Sequence, residues 1–188
     1  INGKHKKEVR VSAPAVNSLK ASSSGDIIIK NGLKTNGKVT VKASSSGDVT
    51  GGAVSCDDFV ATANSSGDVV LEKVSCTNFS ADASSSGDVS IKNLNAANVS
   101  ADASSSGDVV LVGSCENASY SASSSGDVKA KGMKAVNVSA SASSSGDVEC
   151  YVTGSLTAKA SSSGEVAYKG NPKDINFSPK RGLRKINE

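Results

Sequence analysis

Between Val89 and Asp108 the apolar and small residues fall at Val89, Ile91, Leu94, Ala96, Val99, Ala101 and Ala103. The step is two except from Ile91 to Leu94 and from Ala96 to Val99. Alternation by two marks a strand that points every second side chain inward. The two longer steps predict corners, where Lys92-Asn93 and Ala97-Asn98 supply turn residues. The same parity continues through Ser105 and Gly107 into Val109 and Leu111. It predicts that Ser-Ser-Ser-Gly-Asp is a bend in an extended chain, with Ser105 and Gly107 inside because they are small. Ser104, Ser106 and Asp108 are predicted to face outward, and Gly107 to supply a positive φ if the bend needs one.

This unit repeats. Ser-Ser-Gly-Asp recurs with its glycine at 25, 47, 67, 87, 107, 126 and 146, and Ser-Ser-Gly-Glu follows with Gly164. The spacings run from 18 to 22 residues. One unit has too little apolar surface to fold alone, whereas identical units stacked in register bury one another. The period lacks the helical spacing of helical solenoids, the Leu density of leucine-rich repeats and the six-residue subperiod of left-handed hexapeptide helices. The prediction is an all-β chain, a single-stranded right-handed parallel β-helix of about eight coils. A coil of about 20 residues has a perimeter near 66 Å, and eight coils stack to roughly 38 Å. The whole of 1–188 reads as one domain, with an opening segment at 1–20, repeat coils at 21–170 and a carboxy-terminal cap or tail at 171–188. Residues around Val39 and Val41 are less protected, so any self-association is expected through the amino-terminal end.

Stacking turns each outward position into a ladder. Asn78, Asn98, Asn117 and Asn137 align at one corner, where their amides can hydrogen-bond along the stack. Each also begins an Asn-x-Ser sequon, as do Asn64 and Asn176, so glycosylation is the competing reading. Cys56, Cys76 and Cys115 share a slot that Ala96 and Ala135 fill elsewhere, which predicts small buried thiols rather than disulfides or zinc ligands. Asp26, Asp48, Asp68, Asp88, Asp108, Asp127, Asp147 and Glu165 form the candidate surface ladder. Its carboxylates are expected to accept hydrogen bonds from turn amides and to stay in water, with weak cation binding as the alternative. The glycine-rich nonapeptides of calcium β-rolls are absent.

Composition narrows the function. Aromatic residues make up 3% of the chain and Trp is missing, so the core must be thin and built from Val and Ala. Residues 1–42 carry a net +7, residues 43–164 a net −7 and residues 165–188 a net +3. A nucleic-acid binder would place its cations on the regular surface, which here is acidic, so no nucleic-acid partner is expected. No stretch is long and apolar enough to span a bilayer. The chain opens at Ile1 rather than Met, so upstream sequence is expected to have been removed, and the lack of a signal peptide in these residues says nothing about export. The one histidine, His5, lies outside the repeat, so the many serines have no base to activate them. Near-identical coils also gather no unlike groups into a cleft, which argues against an enzyme and against a cofactor or metal site.

The tandem Ser-Ser-Gly-Asp-Val coils, the opening segment Val9–Leu19 and the closing Ala167–Pro172 resemble the auto-transporter adhesin head domains, or GIN domains, of Gram-negative bacteria. The resemblance covers about residues 8–186. It implies an exported, non-catalytic β-helix at the cell surface, outer membrane or periplasm, with an adhesive role. Members of that family usually carry Ser-Gly-Ser-Gly-Asp where this chain has Ser-Ser-Ser-Gly-Asp. They also carry a further amino-terminal β-rich section, so the first coil is expected to lack its cap. Three functions follow from these readings. One is an adhesin or scaffold that binds glycan or a surface protein through its ladders. The second is a self-assembling rod, and the third a carbohydrate-active β-helix enzyme.

Overall fold

A computed structural model describes residues 8–178 and 182–187. His5 and Pro179 lie outside the described residues. The early coils break into separate strands: β1 (Ser18–Ala21), β2 (Ile27–Ile29), β3 (Leu33–Lys34), β4 (Lys38–Ser45), β5 (Val49–Ser55) and β6 (Asp58–Ser65). Later coils run as single long strands through both corners: β7 (Val69–Ser85), β8 (Val89–Ala103), β9 (Val109–Ala122), β10 (Val128–Ala142) and β11 (Val148–Ala160). β12 (Val166–Lys169), β13 (Asp174–Ser178) and β14 (Leu183–Lys185) complete the stack. All the strand pairings are parallel, and together they make one continuous sheet wound into a β-solenoid of about eight turns.

Register follows the repeat. Val69 pairs with Val89, Val89 with Val109, Val109 with Val128, and Val128 with Val148. The predicted inward set Val69, Leu71, Val89, Ile91, Val109, Leu111 and Val128 is fully buried, none more than 1% exposed. Lys92 and Asn93 are exposed at one corner and Asn98 at the other. Along the third side the core columns are almost pure alanine: Ala61, Ala81 and Ala101 in one, Ala63, Ala83 and Ala103 in the next. Small side chains let this side approach the opposite wall, which explains how a core with so few aromatics packs.

The Ser-Ser-Ser-Gly segment departs from the predicted open bend. The N–H of Gly107 donates to the carbonyl of Ser104 at 3.1 Å, closing a tight four-residue turn, and the other seven copies do the same. Ser105 is exposed rather than inside, with φ of +60°. A positive φ at the first central position alone is the signature of a type II′ turn, which ordinarily takes glycine there. Gly107 is needed for a different reason. A Cβ on it would lie 2.7 Å from the carbonyl oxygen of Gly87 and from the amide nitrogen of Ser84 in the coil below. The glycine column therefore lets the turns stack, while the middle serines carry the backbone strain.

The fifth coil is one residue short, and the core adjusts around the deletion. Gly113 pairs with Leu94 and has φ of +143°; a Cβ there would lie 1.9 Å from the Leu94 carbonyl oxygen. That position therefore contributes no side chain to the core. Ala118 also replaces the Val99 and Val138 of its neighbours. Tyr120 stands where those neighbours have Ala101 and Ala140, and it is 1% exposed. A large side chain in one column thus offsets two small ones in the others.

Candidate functional site: the outer ladders

The acidic edge is built by the turns. Each turn delivers its aspartate to the start of the next strand. Its main-chain carbonyl then accepts from the valine of the coil below, as when Val89 N–H donates to Asp108 at 2.9 Å. The side chain points the other way along the stack. Asp68 Oδ1 accepts the N–H of Asp88, and Asp88 Oδ1 that of Asp108, both at 2.9 Å. The pattern is unbroken from Asp26 to Glu165, at 2.9–3.2 Å. One oxygen of each aspartate thus holds the next coil, and Oδ2 is left to the outside.

Within the ladder the Asp68 carboxyl is held above its usual range. Burial is the main cause, with the charges of Asp88 and Asp48 adding to it against the opposing Asp88 amide. Two cations relieve the crowding locally. Lys129 Nζ bonds Asp108 Oδ2 and lies 3.6 Å from Asp127 Oδ2, and the bond to Asp108 raises its own pKa. Arg184 Nε meets Glu165 Oε1 at 2.6 Å. Neither cation was singled out by the sequence, because each sits about 20 residues from its partner and only the register brings them together.

The asparagine ladder has its amides linked in one direction. Nδ2 of Asn98 donates to Asn78 Oδ1 at 2.9 Å, Asn117 to Asn98 at 3.1 Å and Asn137 to Asn117 at 3.0 Å. Asp58 accepts from Asn78 at the lower end, and the Ser155 hydroxyl donates to Asn137 at the upper end. Both ends of the ladder are therefore chemically satisfied. One open depression of about 360 Å³ includes Asn78 and Asn98, and a second of about 510 Å³ lies around Cys76 and Cys115.

All four cysteines are free, with Cys56, Cys115 and Cys150 buried and Cys76 half-buried. Burial pushes the thiols of Cys76 and Cys150 up to about 12 and that of Cys115 up to about 11. Protonated thiols at neutral pH pack as small apolar groups and are poor nucleophiles. Among the described residues no three His, Cys, Asp or Glu side chains converge as a metal-binding group.

A family model described as "putative auto-transporter adhesin, head GIN domain" matches residues 1–107 and again 64–172. The chain belongs to this GIN-domain family. The overlap of the two matches reflects the repeat, since the model fits in two registers of the same stack. Among solved structures, a putative adhesin of Bacteroides fragilis is 21% identical, with 92% of this chain and 93% of that one covered at a TM-score of 0.65. At that identity the likeness concerns the fold. A putative lipid-binding protein of Parabacteroides distasonis is 22% identical at a TM-score of 0.46, and this chain spans 62% of its length. A search of curated proteins returned no match. On this GIN domain the ladders are the most regular outward-facing chemistry.

Proposed function

We propose that this GIN domain is an exported, non-catalytic adhesive module of the cell envelope. It holds an extended glycan or surface protein through many weak contacts along its ladders. The observation that carries the reading is the unbroken acidic edge, in which every Asp Oδ1 is committed to the next coil while Oδ2 is left facing outward at a repeat of about 4.8 Å, engaged by Lys129 at Asp108 and Asp127. A repeated weak contact gains strength only against a repeated partner, because later contacts form at high effective concentration. The test uses immobilised polysaccharides and their short oligomers, probed with the parent and with a variant in which Asp68, Asp88, Asp108 and Asp127 are all Asn. The substitution keeps each Oδ1 acceptor and removes the charge. Binding should favour polymer over oligomer and fall in the variant while its melting temperature holds. Equal binding by parent and variant would reject the acidic edge.

A second reading, a self-assembling rod, is favoured by one feature of the first coil. β1 pairs only with β4, while β2 and β3 pair only with β5, so each has one unpaired edge among the described residues. Half-buried Leu19, Ile27 and Leu33 sit at that end, whereas Val39 and Val41, expected to be the less protected residues, are fully buried because β1 pairs over β4. Light scattering before and after substituting Ile27 by Lys would read end-on association.

A further inference from the structure

The alanine-lined side of the solenoid has an outer face of unusual charge order. Register places Lys20 beside Lys42, Lys42 beside Thr62, Thr62 beside Asp82 and Asp82 beside Asp102. These five are the first part of one outward column that continues through Ser121, Ser141 and Lys159, and they read plus, plus, neutral, minus, minus. Like charges one strand apart repel. None of the four has an ion-pair partner among the described residues. Asp102 shows the cost: burial and then Asp82 push its carboxyl up, against the opposing hydroxyls of Ser100 and Ser121.

Turning this five-residue stretch end for end about Thr62 sets plus against minus at all four charged positions and Thr62 on itself. The central strand is also distinct across its width. In the column beside it, Val60 follows Ser18 and Thr40 and precedes Ser80 and Ser100, making it the one aliphatic side chain among hydroxyls. In the column on the other side, Asn64 stands between Ser44 and Ser84. Val60, Thr62 and Asn64 are all half-buried on this face.

We infer that this face binds a second copy of the chain, as a two-fold dimer whose axis runs along β6 and whose solenoids point in opposite directions. Lys20 of one copy then meets Asp102 of the other, and Lys42 meets Asp82. β6 lies against itself, with Val60 on Val60 and the Asn64 amides able to bond reciprocally; Asp58, at the corner where its carboxylate accepts the Asn78 amide, meets its own copy only at the solvated rim of the contact. A two-fold contact needs a patch that complements itself under reversal, and this stretch does. Running the axis along the solenoid instead would set Lys20 on Lys20 and Asp82 on Asp82. The small hydroxyl side chains on either side let two sheets approach to about 10 Å. Five strands at about 4.8 Å, each contributing about seven residues at 3.3 Å, cover roughly 550 Å² per copy. The total of about 1,100 Å² is at the low end for specific association, so the dimer forms at moderate concentration and is weakened by salt.

Charge reversal tests this directly. Lys20→Glu with Lys42→Glu leaves only acidic charge in this stretch, and Asp82→Lys with Asp102→Lys leaves only basic charge. Sedimentation at low ionic strength should show the parent self-associating, and each double variant weakened by tenfold or more in Kd. An equimolar mixture of the two variants should associate at least as well as the parent. Thermal melts check that each variant is folded, since all four positions are on the surface. A monomeric parent at millimolar concentration, or a mixture that fails to associate while both variants are folded, overturns the proposal. So does association that ignores the charge reversals, which would place the contact at an end coil.

Discussion

Asp68 Oδ1 accepts the backbone N–H of Asp88 at 2.9 Å, and that bond decides how the acidic edge responds to mutation. Asp68→Asn keeps an oxygen in place and should change stability by less than about 0.5 kcal/mol. Asp68→Ala leaves the Asp88 amide without its partner and should cost about 1 kcal/mol. Four alanines, at Asp68, Asp88, Asp108 and Asp127, should therefore lose several kcal/mol where four asparagines lose little. Denaturant melts of the two fourfold variants compare these outcomes. Equal destabilisation by both would mean that the charge, not the acceptor, secures the turns.

The inside–outside parity makes a sharper contrast. Ile91 is 1% exposed while its neighbour Lys92 is on the surface, paired with Glu72 at 2.6 Å. Ile91→Asp buries an unpaired charge and should cost more than about 4 kcal/mol. Lys92→Asp loses an exposed pair and should cost less than about 1 kcal/mol. Circular dichroism melts of both variants check the difference, and similar losses would contradict the register.

This parity is the part of the fold that the sequence displays plainly. Apolar residues two apart, broken at fixed corners, locate Val89, Ile91, Leu94, Ala96 and Val99 without any knowledge of the stack. The same rule misplaces Ser105, because parity assumes an extended backbone and says nothing of a residue driven to positive φ. Of the candidate site, the aspartate and asparagine ladders are legible from spacing alone. The division of each aspartate into a bonded and a free oxygen is not, since it depends on which way the side chain leans. The order Lys20, Lys42, Thr62, Asp82, Asp102 is hidden for another reason: it exists only once strands about 20 residues apart are laid side by side.

Ser105 at φ of +60° and Gly107 packed against the turn below predict opposite effects from two small changes. A non-glycine residue in that region stores about 1 kcal/mol or more of strain. Ser105→Gly should relieve it and raise stability by about 0.5–1 kcal/mol, or roughly 1–4 °C in Tm. Gly107→Ala should push two turns apart and cost several kcal/mol. A Tm that falls on Ser105→Gly would show that the serine hydroxyl is needed in the turn.

The raised carboxyls of Asp68 and Asp102 set the direction of a pH dependence. Their folded values lie above the ordinary 3.8, so the folded state binds protons more readily than the unfolded chain in that window. Their contribution to stability is therefore fully present below 3.8 and is lost as pH rises through the folded values. Melts between pH 3.5 and 7 should show a smaller acid-side gain for Asp68→Asn and for Asp102→Asn than for the parent. Unchanged slopes in both variants would remove these two groups from the titration.

Tyr120 offers the cleanest test of the compensation in the fifth coil. Its hydroxyl is buried without a hydrogen-bond partner, and burial, followed by the nearby Cys115 and Cys150, drives its pKa upward. An unpaired buried hydroxyl costs about 1–3 kcal/mol, so Tyr120→Phe should stabilise the protein. Tyr120→Ala should instead open a cavity beside Gly113 and Ala118 and cost about 3–5 kcal/mol, although alanine fills that column in the adjacent coils. The contrast separates two accounts of the residue. If the ring fills space that the shortened coil leaves empty, the phenylalanine variant melts above the parent and the alanine variant far below it. If the alanine variant is as stable as the parent, the fifth coil closes without the ring, and the exchange of large and small residues across its columns is not what holds it.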